Sequence, residues 1–123
     1  MISLQEVLGI HEILIQRTGG SFGVRDKGLL ESALVRPLST FDQKELYPTI
    51  EEKLAVLCRS LISNHCFIDG NKRIGVTILL VLAKANKVKL KYTQDELIEL
   101  ALKVATSDWQ EKEILCWIWK HKD

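Results

Sequence analysis

The sequence is poor in the features that would send a chain to a membrane, an oxidising compartment or a polyanion. Its three cysteines, Cys58, Cys66 and Cys116, are odd in number and include no Cys-x-x-Cys pair. That argues against both a disulfide framework and a cysteine zinc site, and reads as cytosolic thiols. The longest strongly apolar stretch, Ile74 to Ala83, is about half of what a bilayer crossing requires. The opening MISLQEVLGIHEILIQR scatters acidic and polar side chains among its apolar ones, unlike the basic head and continuous apolar stretch of a secretory leader. The cytoplasm is therefore the expected location. An excess of charge of one sign is missing too: 17 Lys and Arg against 16 Asp and Glu leave a formal charge of +1. No overall field attracts nucleic acid or an anionic membrane, and neither is expected as a partner. Internal repeats and low-complexity segments are absent.

What is present suffices for one core. A chain of 123 residues with 46% hydrophobic side chains falls in the single-domain range, here expected over residues 1–123 without a linker. Four helix starts are marked by a hydroxyl residue followed three positions later by Glu or Gln: Ser3 with Glu6, Thr49 with Glu52, Thr93 with Glu96, and Ser107 with Gln110. Such pairs satisfy the first free amides of a helix reciprocally. After the first of them, Leu4, Val7, Leu8, His11, Leu14 and Ile15 recur at helical spacing until Gly19-Gly20 stops the run. This places His11 on the buried face as a core or boundary residue. Asp26 caps a short second helix through Leu34, which Pro37 ends. From Pro37 to Ile50 the chain has its two prolines and no sustained period, the pattern of a connection or small surface flap.

Four more helices are predicted, over about Ile50 to Asn64, Asn71 to Ala85, Gln94 to Ala105 and Asp108 to Lys120, with Val88 to Thr93 as one short extended piece. The helix from Asn71 to Ala85 carries apolar residues on nearly every face, so it is expected to be the one the others surround. On the last helix, Trp117 and Trp119 read as packing and boundary residues. The fold class that results is all-α: a bundle of about six helices around a central buried helix, with a short flap before the third.

The chemistry concentrates in residues 65–73, HCFIDGNKR, which bridge the third helix and the apolar fourth. The first amides of a helix and its positive dipole end make an anion site from backbone alone. Gly70 permits a tight approach, so the amides around Asn71, Lys72 and Arg73 can form a concave nest for phosphate. Arg73 adds a planar fork and Lys72 a compact positive charge. His65, neutral near pH 7, can accept a proton from an attacking hydroxyl. Asp69 offers hard oxygens for Mg²⁺, whose other positions phosphates and water would fill. Phe67, between them, is expected to bury its ring and anchor the loop. The same residues also make a good turn and helix cap, with Lys72 and Arg73 as solvated charges at a helix start. Neither a Walker A loop nor a kinase glycine-rich loop is present.

HCFIDGNKR resembles the H-x-F-x-[D/E]-[G/A]-N-x-R motif of the Fic/Doc family, and more closely that of its Doc (death-on-curing) toxin branch. The resemblance extends through GGSFGVRDKGLLESAL from Gly19 to Leu34, then Pro37, Tyr47-Pro48 and the region of Lys53. It implies an all-helical fold in which the motif loop leads into a central helix, and transfer of part of a nucleoside triphosphate to a hydroxyl of a target protein. On the matching positions it implies His65 as general base, Phe67 as core anchor, Asp69 as Mg²⁺ ligand, Gly70 and Asn71 as parts of the phosphate nest, and Arg73 as ligand of the outer phosphates of ATP. It further implies that the flap, here Leu46, Tyr47, Pro48, Thr49 and Ile50, aligns the side chain of the target.

Lys72 bears on the reaction. Members that transfer AMP usually have a second glycine there and a further arginine where this chain has Val76. A lysine projecting from the nest obstructs that placement of the α-phosphate while still neutralising phosphate charge. The resemblance to the Doc branch, which shares N-K-R, implies transfer of the γ-phosphoryl group to a translation elongation factor of the Tu kind. Gly70 suits both branches, and AMP transfer stays the alternative within the family. A non-catalytic antitoxin- or protein-binding module is the alternative outside it. The family's self-inhibitory pattern finds its spacing only from Ser107 to Glu111, where Lys112 follows and a core helix begins. The resemblance therefore implies restraint by a separate antitoxin whose disordered segment folds on binding.

Overall fold

The computed structural model describes residues 1–123 and is built from six helices: α1 (Leu4–Thr18), α2 (Lys27–Val35), α3 (Ile50–Ser63), α4 (Asn71–Ala85), α5 (Gln94–Ala105) and α6 (Glu111–His121). The capping residues read from the sequence start three of them. Ser3 and Glu6, Thr49 and Glu52, and Thr93 and Glu96 each exchange the expected pair of side-chain to backbone bonds. Asp26 accepts from the Leu29 amide at 3.0 Å and starts α2. The fourth expected pair fails. Ser107 is left-handed (φ 66) and its amide closes the end of α5 on the Val104 carbonyl. The Trp109 amide folds back to the Lys103 carbonyl as well, so the chain is still turning where a cap was expected. Helix α6 begins after Gln110, whose amide bonds the Glu113 carboxylate at 2.9 Å.

The enclosed helix is α3, a correction to the expectation for α4. Ten of the fourteen residues of α3 are buried, Glu51 and Lys53 among them, and it packs against α2, α4, α5 and α6. Helix α4 buries Ile74, Gly75, Ile78, Leu79, Leu82 and Ala83, but Val81 on its outer side is 42% exposed. An apolar residue on every face guarantees neither cover nor neighbours; α4 is simply left with an uncovered apolar strip. Gly75 lets α3 and α4 close on each other, because a β-carbon there would collide with the Ile62 side chain and stand 3.3 Å from the Cys58 carbonyl. The common core gathers side chains from all six helices and from the motif loop, including Val7, Leu30, Leu61, Phe67, Leu100 and Ile118.

Between α2 and α3 the flap has more order than its composition suggests. A short 3-10 turn (Arg36–Leu38) leads into two short antiparallel strands, β1 (Thr40–Phe41) and β2 (Lys44–Glu45). Asp42 and Gln43 turn the corner with φ of 51° and 63°, the left-handed pair that suits the twist of a tight hairpin. The buried Lys53 ammonium pins its base, paired with the Glu45 carboxylate at 2.9 Å and donating to the Tyr47 carbonyl. The extended piece after α4 pairs at Leu90 with Lys122. No helix is long and apolar enough to cross a membrane.

Candidate active site

The motif loop is a hinge between two packed helices, and each of its residues takes a distinct environment. Cys66 and Phe67 are buried, His65 and Ile68 are exposed, and Asp69 lies between. The Phe67 ring stacks on the buried His11 with centroids 3.8 Å apart and planes 13° from parallel. His11 Nε2 lies 2.8 Å from the Asp69 carbonyl; a carbonyl only accepts, so this nitrogen carries the proton. Asn71 closes the loop from the other side: its carbonyl accepts from the Phe67 amide at 3.0 Å and its amide group donates to the Phe67 carbonyl at 3.1 Å. Burial pushes the Cys66 thiol above its ordinary value, so the one sulfur inside the motif stays protonated and inert.

A second strip of chain holds the loop from outside. Val24 pairs with Phe67, the amides of Arg25 and Asp26 donate to the Cys66 carbonyl at 2.7 and 3.0 Å, and the Ile68 amide donates to the Gly23 carbonyl at 3.0 Å. Arg25 Nε donates to the His65 carbonyl at 2.8 Å, which holds the left-handed His65 backbone (φ 49) in place. Ser21 donates its amide to the Asp69 carboxylate at 3.2 Å. Gly20 (φ 117) is required here, because a β-carbon would stand 2.6 Å from the same carboxylate. The segment from Gly20 to Asp26 and the histidine of α1 therefore build the site. Sequence reasoning assigned them no part in it: a single bridge between two loops leaves no periodic trace, and His11 reads as an ordinary core residue.

Backbone amides fix the carboxylate of Asp69. The Gly70 amide at 2.7 Å and the Ser21 amide hold its pKa below the usual carboxylate range, with Arg73 adding a smaller pull in the same direction. It stays ionised at neutral and mildly acidic pH. The four residues that follow leave a different kind of site. Gly70 takes the left-handed N-cap position (φ 77) with no side chain capping the helix, and the first bond into α4 runs from the Ile74 amide to the Gly70 carbonyl. The amides of Asn71, Lys72 and Arg73 keep no protein partner. Lys72 is exposed and makes no ion pair within the protein, while Arg73 donates to the Gly19 carbonyl at 2.7 Å and to Thr18, with its other arm 3.6 Å from Asp69. Two of its five donors, the Nε–H and one terminal N–H, stay free.

These groups share one hollow. A cavity of about 470 Å³ is walled by His65, Asp69, Gly70, Asn71, Lys72 and Arg73, with Ile62, Ile68 and Ala105 as its apolar side. Ala105, at the end of α5, was not visible as a site residue. Val76 faces an adjoining cavity toward α5, which Lys72 and Arg73 also line. Of the flap residues, Leu46 to Thr49 lie in the turn that feeds α3 and Ile50 is its first residue; none of them lines the motif cavity. Glu111, the glutamate of the self-inhibitory spacing, pairs with Arg36 at 2.7 Å and approaches Arg59 at 3.8 Å, away from the motif. A hard cation would find one protein carboxylate in this cavity wall, Asp69. That fits Mg²⁺, which takes few protein ligands and fills its sphere with water and phosphate.

Known proteins are similar to this chain in sequence. A protein called toxin Doc from Mycolicibacterium smegmatis is 38% identical over 92 residues, covering 73% of this chain and 71% of its own length. A protein kinase doc from Escherichia phage P1 is 28% identical over 107 residues, covering 87% of this chain and 83% of its own. The pattern of the Fic/DOC family matches residues 1–83, a span holding the whole motif loop and both strips of chain that brace it, and the chain belongs to that family.

Proposed function

We propose that this protein is a Doc-type toxin, a Mg²⁺-dependent protein kinase that moves the γ-phosphoryl group of ATP to a Ser or Thr hydroxyl of a translation elongation factor of the Tu kind. In this reading the whole chain acts as one domain, with α5 and α6 completing the part that the family pattern covers. A separate antitoxin restrains it through a segment that folds on binding. The observation that carries the reading is Lys72, an unpaired ammonium at the uncapped start of α4, in the wall of the cavity that holds His65 and Asp69.

Each residue then has one task. His65, on the wet rim of the loop, takes the proton of the target hydroxyl. Asp69, held by two backbone amides, is the ligand for Mg²⁺, which when bound neutralises phosphate charge. The free amides after Gly70, with Lys72, receive the phosphate oxygens at the positive end of the helix. Arg73 meets the outer phosphates with its two spare donors. Asn71 and Phe67 fix the spacing between base and nest, which matters because phosphoryl transfer is governed by position and electrostatics. The residues from Leu46 to Ile50 align the side chain of the target. Lys72 is what supports phosphoryl over AMP transfer, since its side chain fills the space that a reacting α-phosphate would need.

Intact mass spectrometry of an elongation factor of the Tu kind, after incubation with the chain, ATP and Mg²⁺, tests this. A gain of about 80 Da is the expected phosphate; a gain of about 329 Da, one AMP, would replace the kinase assignment with adenylyl transfer. An unmodified factor and unaffected cell growth would leave a binding module.

A further inference from the structure

A second, larger hollow lies away from the motif. A cavity of about 700 Å³ opens between the C-terminal half of α4 and the extended segment that follows it. At about 1.5 Å of rise per residue, this end of α4 is roughly 20 Å from Gly70. Its floor is apolar, from Val81, Val88, Leu90 and Tyr92, and Val81 and Tyr92 are 42% and 37% exposed. Lys84, Lys87 and Lys89 stand around it. None of the three enters an ion pair, and no acidic residue lines the cavity.

The backbone beside this hollow is half of a sheet edge. Lys91 donates its amide to the His121 carbonyl at 2.7 Å, and Lys89 accepts from the Asp123 amide at 2.9 Å. Leu90 sits between them as the partner of Lys122. In an extended chain, successive residues turn their amide and carbonyl to opposite sides. Those of Leu90 therefore point away from Lys122, and neither has a partner within the protein. An open edge next to an apolar floor is the geometry that accepts an added strand, with main-chain bonds for affinity and alternate side chains for selection. The lysines choose the partner. They repel a second copy of this chain, which would bring the same cations to the edge, and they favour carboxylates. The α4 dipole accounts for Lys84 in the last helical turn but not for Lys89, which lies beyond the helix.

We propose that this face docks an extended acidic segment of a partner protein, its backbone pairing with Leu90, its apolar side chains over Val81 and Tyr92, and its carboxylates against Lys84, Lys87 and Lys89. The apolar floor separates this partner from nucleic acid, whose phosphates would need only the lysines.

The test uses the full chain and a synthetic probe of about eight residues that alternates Glu with Val and Leu, the length of a strand with its ends. Fluorescence anisotropy is expected to show binding, and hydrogen exchange at the Leu90 amide to slow by about tenfold or more. Replacing the three lysines by Glu weakens the probe by about tenfold or more. These side chains are solvent-facing, and Val81→Glu serves as an independent variant with the same expected loss. A probe methylated on alternate backbone nitrogens keeps its charge and loses its binding. The proposal is overturned if a probe with Lys in place of Glu binds as well, if the lysine variant binds unchanged, if an oligonucleotide protects Leu90 where the probe does not, or if sedimentation shows the chain pairing with itself through this edge.

Discussion

Helices α3 and α4 lie side by side, and their first turns are built on opposite rules. The start of α3 spends its amides on its own side chains: Thr49 and Glu52 exchange bonds, and Glu51 and Glu52 set negative charge against the positive end of the helix. The Glu51 carboxylate is further paired with Lys122 at 2.7 Å, which lowers its pKa. The start of α4 does the reverse. It begins at an uncapped glycine, has no acidic residue in its first turn, and places Lys72 and Arg73 where the dipole already repels cations. One start is finished; the other leaves its first amides open, as the proposed phosphate nest requires. A stability-seeking sequence would not choose the second, and the contrast falls on the motif itself.

The largest expected effect removes the proposed base and leaves this contrast standing. In His65→Ala the target transfer rate falls by roughly 10² to 10⁴-fold. The His65 side chain is exposed, and what holds the loop is its carbonyl, bonded to Arg25, so the thermal midpoint is expected to stay where it is. A variant with full transfer activity would take His65 out of the mechanism, and a lowered midpoint would show that the ring is part of the brace.

Phe67→Ala attacks the frame beneath the open start. The ring is 1% exposed and stacks on His11, so its removal costs about 3 to 5 kcal/mol in denaturant unfolding. Transfer falls with it, because the loop that spaces His65 from the nest loses its anchor. Unchanged stability would mean that His11 and Asn71 hold the loop without the ring.

Gly20→Ala is smaller and more local. Its φ of 117° is strained for any side chain, and the new β-carbon meets the Asp69 carboxylate. Roughly 1 to 3 kcal/mol of stability should be lost, and Mg²⁺ affinity should weaken as the carboxylate is pushed aside. Retained Mg²⁺ affinity would show that Asp69 can move without consequence.

This last position also marks what the sequence could reveal. The caps at Ser3, Asp26, Thr49 and Thr93, the stop at Gly19 and the tight turn at Gly70 were all readable, because each depends on residues a few positions apart. Reading the motif was local for the same reason. What escaped was tertiary: the strip from Gly20 to Asp26 laid along the motif, Ala105 closing the cavity, and α3 rather than α4 at the centre. Hydrophobicity along α4 states how much surface a helix can bury, whereas which helix is surrounded depends on where the other five land. The Ser107 cap failed for a related reason, since Lys103 and Val104 capture the following amides to end α5 before a new helix can start.

The smallest expected effect is the sharpest test of the comparison, because its sign runs against intuition. Lys72 is exposed and makes no ion pair, so Lys72→Gln breaks no contact. It removes a positive charge from the positive end of α4, where a cation is unfavourable by about 0.3 to 1 kcal/mol. The variant should therefore be more stable than the wild type by that amount in low salt, the difference shrinking as salt screens it. ATP affinity and transfer should both fall, since the nest loses its one uncommitted side-chain cation. Inorganic phosphate should reverse the order, stabilising the wild type more than the variant. The corresponding change at α3, Glu52→Gln, runs the other way: it removes a favourable charge from a capped start, and phosphate has no influence on the outcome. Thermal melts of the two variants and the wild type, with and without phosphate, read the whole pattern. A destabilised Lys72→Gln, or equal phosphate effects at both helices, would show that the α4 start is an ordinary helix end with two solvated charges.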